Sequence, residues 1–557
     1  MDNQRMFLFA ALAFVLFLIY QAWVQDYGPK PQPPATAQQA PAEQSATPAS
    51  SSADNDIPAP APEEKAAPAK PEPEAEAQPL ASAQPIHVHT DTLDVVIDTR
   101  GGDLRRVSLR KYPVTKNKPD QPVTLLTDHP DGMLVIQSGL RGADDNPAPS
   151  HHAIYQADAT DYTLGSGQKE LQVPLTWTGP DGVVVKKVYT FKRDSYQIGL
   201  TYDVHNAGGQ PWVGDAYVQL RRHHQEQSHS MFGAGYLKYD NPALYNGDKY
   251  KKYDFKDLNE TPISQTVDGG WAAIVQHYFL AAIIPPQDVH HRFYSKALGS
   301  DRYLLGYVTP NAQAAPGADA TFSTLLFVGP KLQDRLGGIA PHLDRTVDYG
   351  MFTIFAEPLF KILKWVHSIV GNWGWSIVIL TILIKLVFYK PSEISGKSTA
   401  RMRKVQPRIK ALKERYGDDK QRFQQAMMEL YKKEKINPAH GCWPLLLQFP
   451  IYIALYWMLR ESVELRQAPF MFWINDLSVH DPLYVLPALI GVLMFFQQRL
   501  NPTPADPVQA KVMMIMPLFM VGVSAFLPAG LTLYWFVNSG LSVAQQWQIN
   551  RVVEATK

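Results

Sequence analysis

The rhythm of apolar and polar positions changes several times along the 557 residues. Residues 6–24 form a nearly unbroken apolar run, long enough at 1.5 Å per residue to cross ~30 Å of hydrocarbon. The run ends in Gln21, Trp23, Gln25 and Asp26, with no small-residue cleavage site. Both features favour an uncleaved anchor over 1–27 and disfavour a removed signal peptide. Residues 28–84 are rich in Pro, Ala, Gln, Ser and Glu and nearly free of large apolar side chains. Such a stretch cannot bury enough surface to offset its ordering entropy, so it reads as a disordered tether.

From residue 85 the period becomes two. The run "TLDVVIDTRGGDLRRVSL" alternates around Gly101-Gly102, and "GVVVKKVYTFKRDSYQIGLTYDVHN" holds two strand-like runs split by Arg193-Asp194-Ser195. "HYFLAAIIPP" and "ATFSTLLFVGP" continue the pattern, which predicts an all-β sandwich over 85–345. Helical spacing follows at 346–368. Phe355, Leu359, Ile362 and Val366 share one face, while Lys361, Lys364 and His367 lie off it. This predicts an amphipathic helix on a membrane surface, with a helix buried under the sandwich as the alternative.

Five apolar runs complete the pattern, at about 371–390, 441–459, 482–498, 512–527 and 531–547. Pro450, Pro487, Pro517 and Gly540 interrupt them, which membrane helices tolerate where neighbours re-satisfy the backbone. Trp373, Trp375 and Trp443 stand where an interfacial aromatic belt would. Only "LPAG", 527–530, separates the last two runs, which predicts a tight hairpin. The expected architecture is an α-helical polytopic membrane bundle of six spans, with a five-span core over 369–557, plus the β-domain.

Charge orients it. Lys plus Arg (53) and Asp plus Glu (52) nearly cancel, but segment 390–435 holds fourteen basic against six acidic residues. Loop 461–481 holds a single basic residue, Arg466. The positive-inside rule then places 390–435 and both termini in the cytoplasm and the sandwich outside. Within 392–438, Met402, Val405, Ile409 and Leu412 step at helical spacing, as do Phe423, Met427 and Leu430. Gly417 reads as a stop and Asp418 or Asp419 as a cap, giving an antiparallel helical hairpin. It is either a docking arm for targeting machinery or a solvated structural hairpin. Its thin aromatic content disfavours nucleic-acid binding.

Candidate chemistry is sparse. One cysteine, Cys442, permits no intramolecular disulfide and no cysteine cluster for zinc, and no base stands near it. "GKST" at 396–399 lacks the glycine that a phosphate loop needs at 391, where Pro391 stands. His223, His224 and His229 invite a metal reading, but adjacent histidines in a strand point to opposite faces. The spans carry no carboxylate pair for a proton relay. No catalytic centre, metal or cofactor is expected.

One charge stands out. Lys385 lies inside "SIVILTILIKLVFYK", where a lysine costs about 2.5–3.5 kcal/mol. Its stem could snorkel to the nearby interface. Alternatively, with Thr381 one turn earlier and Gln448, Asn538, Ser539, Ser542, Gln545 and Gln546 on other spans, it lines a wet groove that attracts a carboxylate.

Several stretches resemble the bacterial YidC membrane-protein insertases of the Gram-negative type. They are the N-terminal "MDNQRMFLFAALAF", "TDTLDVVIDTRGGDLRRVSL" (90–109), "ERYGDDKQR" (414–422), "HGCWPLL" (440–446), "ELRQAPF" (464–470), "WINDLS" (473–478) and "DPLYVLPALIGVLMFFQQ" (481–498). The resemblance implies a periplasmic β-supersandwich and a cytoplasm-open hydrophilic groove in the inner membrane. It implies action alone or beside the Sec translocon and its accessory subunits. It places the groove cation at Lys385 beside Thr381, groove glutamines near Gln448 and Gln546, and slide aromatics near Tyr534 and Trp535. Implied partners are nascent inner-membrane proteins, the lipid bilayer, and the ribosome and signal recognition particle pathway. The chain departs from the pattern in carrying lysine where arginine is common, and in "YKPSE" after the span. The rival classes are a secondary transporter, which would want internal repeats, and a membrane-anchored carbohydrate-binding protein.

Overall fold

The computed structural model describes residues 56–58, 80–143, 146–225, 240–299, 301–416, 419–434, 436, 443–501 and 507–555. The chain divides into two units, Met1–Asp54 and Asn55–Lys557. The expected anchor, most of the expected tether, His229, Gly417, Asp418 and Cys442 lie outside the described residues.

Two β-sheets, of eleven and nine strands among the described residues, form the sandwich. Eight strands lie in the middle of the two sheets: β1 (Leu134–Gly142), β2 (Val183–Lys192), β3 (Gln197–Asn206), β4 (Trp212–His223), β5 (Phe279–Ile284), β6 (His290–Ala297), β7 (Arg302–Val308) and β8 (Asp319–Pro330). The larger sheet runs β6-β7-β4-β1 through its centre and the smaller runs β5-β8-β3-β2, every neighbour antiparallel. Alternation decides what each strand buries. Val218 and Leu220 of β4 enter the core between the sheets, while Tyr217, Gln219 and Arg221 face the other side of the larger sheet. Register puts Val308, Gly306 and Leu304 beside those three on β7, and Gly139 and Gln137 beside Tyr217 and Gln219 on β1. Asp56–Pro58, within the segment expected to be a tether, is held against this outer face.

Two short helices, α1 (Phe255–Glu260) and α2 (Gln333–Leu336), belong to the sandwich. The remaining helices are α3 (Thr353–Val370), α4 (Trp373–Val387), α5 (Tyr389–Tyr416), α6 (Lys420–Lys433), α7 (Trp443–Glu461), α8 (Val485–Leu500), α9 (Pro507–Ala525) and α10 (Ala529–Ala555). Among the described residues no helix is long and apolar enough to cross a membrane. Helices α4 and α9's neighbour α8 have 15 and 16 residues, about 22–24 Å of rise against ~30 Å of hydrocarbon. The longest of the last five helices, α10, has 27 residues but carries Asn538, Gln545, Gln546, Asn550 and Arg551.

Helix α3 shows two apolar sides. Ala356, Phe360, Leu363 and Val366 are buried, and α3 packs against α4 and α7. Phe355 and Ile362, expected on the apolar face with Leu359 and Val366, are exposed together with Ile354, Trp365 and Ile369, whereas Val366 is buried. The expected hairpin is α5 with α6. Val405, Ile409 and Ile436 form its core, with Met402, Phe423, Met427 and Leu430 packed around them. Asp419 caps α6, accepting from the amides of Gln421 (3.1 Å) and Arg422 (3.0 Å).

The sandwich meets the helices through specific bonds. Arg466, the single basic residue of its loop, donates to the Pro113 carbonyl at 2.7 Å. Lys116 donates to the Asn475 carbonyl at 2.8 Å, and His277 to the Arg460 carbonyl at 2.9 Å. Fully buried Lys331 lies 3.8 Å from Glu461. Burial lowers the Lys331 ammonium to about 8.

Candidate functional site

Lys385 sits in the last turn of α4, half-buried. Helix α4 starts where the chain permits it. Gly371, with φ of 70°, closes α3 in the left-handed region, and Asn372 caps α4 by accepting from the Trp375 amide at 3.1 Å. Three turns on, Lys385 Nζ donates to Ser542 Oγ of α10 at 2.7 Å. Among the described residues no carboxylate stands within ion-pair distance of this ammonium. An ammonium has three protons, and the serine takes one.

The partner belongs to a row. Asn538, Ser542 and Gln546 recur every four residues along α10, so they share one face. Ser542 Oγ donates to the Asn538 carbonyl at 2.7 Å. Gln448 of α7 donates to Asn538 Oδ1 at 3.2 Å. Gln546 donates to Asn550 Oδ1 at 2.8 Å and reaches the Gly396 carbonyl of α5 at 3.4 Å. Three helices, α4, α5 and α7, thus bond to polar groups of α10. The row offers amides, one hydroxyl and one ammonium, which suits attraction of an anionic group.

The six expected residues divide. Lys385, Gln448 and Gln546 join the row. Thr381 does not: the residue is 1% exposed and its hydroxyl donates to the Ile377 carbonyl of its own helix at 2.7 Å. Tyr534 is buried with its ring 5.8 Å from Tyr452, so what it offers lies inside the bundle. Trp535, half-buried, crosses the same Tyr452 ring at 5.8 Å. Ser542 and Asn538, among the polar residues expected to line a wet groove, are the residues that connect the others. Their four-residue spacing to Gln546 was the available signal.

An open cleft of about 350 Å³ lies between α8 and α10, lined by Phe496, Arg499, Leu500, Gly540, Val543, Ala544 and Trp547. None of the six expected residues lines it. Gly396, the glycine of "GKST", serves packing: a Cβ there would meet Ile549 Cδ1 at 2.7 Å and Gln546 Oε1 at 2.9 Å. His223 and His224 diverge as adjacent strand residues must. His223 contacts the Pro130 carbonyl at 2.6 Å, and His224 stacks on Phe255 with centroids 4.5 Å apart.

The motif 473–484 organises the loop under these helices. Asp476 accepts from the amides of Gln467 and Ser478, and Asp481 accepts from Trp473 Nε1 (2.8 Å) and the Leu486 amide (2.7 Å) at the start of α8. The first turn of α10 is stitched to the same loop, the Gly530 amide donating to the Leu477 carbonyl at 2.9 Å.

Two family models match the chain: the YidC periplasmic domain over residues 85–362, and the 60Kd inner membrane protein over residues 365–556. The membrane protein insertase YidC of Thioalkalivibrio sulfidiphilus is 49% identical over 567 residues, covering 100% of this chain and 99% of that one. That of Nitrosococcus oceani is 47% identical over 557 residues, with the same coverage. Among solved structures, an active YidC insertase with its first transmembrane domain resolved is similar at 17% identity and a TM-score of 0.37, covering 84% of this chain and 92% of that one.

Proposed function

This chain belongs to the YidC family of membrane protein insertases, and from that premise we propose that it inserts inner-membrane proteins through a groove centred on Lys385. It is an insertase and not an enzyme, with the β-sandwich as its periplasmic domain. The single observation that carries the groove reading is the Lys385–Ser542 bond: a cation held by a hydroxyl, with no acid beside it among the described residues. Such a charge is left to act on a visiting carboxylate.

In this reading the five helices α4, α7, α8, α9 and α10 span the inner membrane behind an N-terminal anchor, with both termini in the cytoplasm. The hairpin α5–α6 then faces the cytoplasm, and its excess of basic residues supports docking of the ribosome and the signal recognition particle pathway. The protein works alone or beside the Sec translocon. The short α4 and α8 suit a locally thinned hydrocarbon layer. The exposed apolar side of α3, with Ile354, Trp365 and Ile369, suits an interfacial position.

A substrate's short acidic tail enters from the cytoplasm and is attracted by Lys385. The polar row on α10 shortens the hydrophobic path. The substrate's apolar helix then passes into lipid, driven by hydrophobic transfer. A membrane potential positive outside assists each negative charge by about 2.3 kcal/mol per 100 mV. No covalent step is required.

The test is insertion of single-span substrates with acidic or neutral tails into vesicles holding the protein. Lys385→Glu should impair the acidic-tailed substrate, and Lys385→Arg should not. Photocrosslinking from positions 448 and 542 to a stalled nascent chain should report contact. Equal insertion by wild type and Lys385→Glu would remove the cation from the mechanism.

A further inference from the structure

Away from the helices, the outer face of the larger sheet holds a short piece of the chain's own N-terminal region. We propose that this face carries a cradle for an acidic peptide segment, and that Asp56-Ile57-Pro58 occupies it as a latch.

Each residue of the three-residue segment is held. The Asp56 carboxylate receives His152 Nε2 at 2.9 Å and Arg221 Nη1 at 3.0 Å, with His151 Nε2 at 3.3 Å. The Asp56 carbonyl receives Gln219 Nε2 at 3.1 Å, and the Pro58 carbonyl receives Arg141 Nη1. Ile57 packs on an apolar floor of Tyr217, Tyr294, Leu304 and Val308. Burial opposes the charge on Asp56, but the hydrogen bonds and charge of His151 and His152 outweigh it and hold the carboxyl well below the usual carboxylate range.

The cradle is built into the sheet. Gln219 is wholly buried and His151 is 1% exposed. Tyr294 donates to Gln219 Oε1 at 2.6 Å, which turns the Gln219 amide nitrogen toward the Asp56 carbonyl. Gln219 Nε2 also reaches Gln137 Oε1 at 3.2 Å, and Gln137 donates in turn to Asp103 at 3.2 Å. His151 is fixed by Tyr217, whose hydroxyl lies 2.6 Å from Nδ1 and accepts from the His151 amide at 3.0 Å. Gly139 and Gly306 leave room for the two tyrosines: a Cβ at either would stand 2.7 or 2.8 Å from the Tyr217 or Tyr294 hydroxyl. Donors set this firmly in a buried face require an acceptor, and a carboxylate flanked by carbonyls supplies it.

Asp56, His151 and His152 also bring their ligand atoms within 4.8 Å of one another, as a metal site would. The Arg221 guanidinium, 3.0 Å from the same carboxylate, places a fixed positive charge there and favours the peptide. The latch stands apart from the insertase reading.

The test uses full-length protein in detergent and a fluorescent peptide of residues 52–62, read by anisotropy. Asp56→Ala empties the cradle, so that variant should bind the peptide at least tenfold more tightly than wild type. Adding Arg221→Gln or His152→Gln to Asp56→Ala should reverse the gain, and a peptide carrying Asn at 56 should not bind. Chelator should change nothing. Equal binding by wild type and Asp56→Ala, or none by Asp56→Ala, overturns the latch. Loss of binding with chelator overturns it in favour of a metal bridge.

Discussion

Lys385 and Ser542 lie 157 positions apart and meet at 2.7 Å, the ammonium donating to a hydroxyl that itself donates to the Asn538 carbonyl at 2.7 Å. A donor chain of this kind polarises each bond in it. It orients the lysine toward α10 without neutralising it, which an aspartate at 542 would do.

Ser542 therefore has a graded role. Ser542→Ala removes the acceptor and about 1–1.5 kcal/mol of orientation. Insertion of an acidic-tailed substrate should slow several-fold, less than with Lys385→Glu, and Ser542→Thr should restore it. Reconstituted insertion rates check this. A Ser542→Ala protein as inactive as Lys385→Glu would show that the serine does more than orient.

Glu464 sets a pH dependence in the contact between sandwich and helices. It is buried in the loop after α7, and burial pushes its carboxyl up to about 7. An ordinary glutamate titrates near 4.3. Between those values the folded chain holds a proton that the unfolded chain has lost, so stability falls as pH rises from about 4 to about 7 and levels off above. Thermal unfolding of wild type should occur several degrees lower at pH 8 than at pH 5. Glu464→Gln should flatten that difference.

Gly396 lets α5 approach α10. Gly396→Ala drives a methyl to within 2.7 Å of Ile549 and 2.9 Å of Gln546, so the helices must shift. The expected cost is about 1–3 kcal/mol, seen as a lower unfolding temperature. The Gln546–Gly396 contact should weaken as well, read by faster amide exchange across 392–400.

Asp419 starts α6. Asp419→Ala leaves the amides of Gln421 and Arg422 without their acceptor and costs about 1 kcal/mol of helix stability. Exchange of those amides should quicken roughly fivefold, while exchange in the sandwich stays unchanged. Asp419→Asn should retain most of the protection.

Much of the architecture was readable because its signals are local. Period-two alternation across 92–109 and 182–206 marks strands wherever they pair. The apolar steps Met402-Val405-Ile409 and Phe423-Met427-Leu430 meet in one small core because each set covers one side of its own helix. Which side of α3 is covered by protein is not readable in the same way. Both Phe355 and Phe360 follow helical spacing, and only the positions of α4 and α7 choose which one is covered.

Thr381 and Lys385 share a face by spacing, yet one hydroxyl turns back to Ile377 while the ammonium crosses to another helix. Spacing places a side chain on a face but does not choose its rotamer or partner.

By itself the chain's sequence determined the order of its parts: a sandwich-forming alternation, a basic helical hairpin, and apolar helices with one cation among them. Each rests on residues a few positions apart, where backbone periodicity alone decides. Tertiary structure decided that Lys385 finds Ser542, that Arg466 binds the Pro113 carbonyl, and that Asp56 lies among His151, His152 and Arg221. These partners are separated by tens to hundreds of residues. Their meeting depends on sheet register and helix packing, which no local pattern encodes.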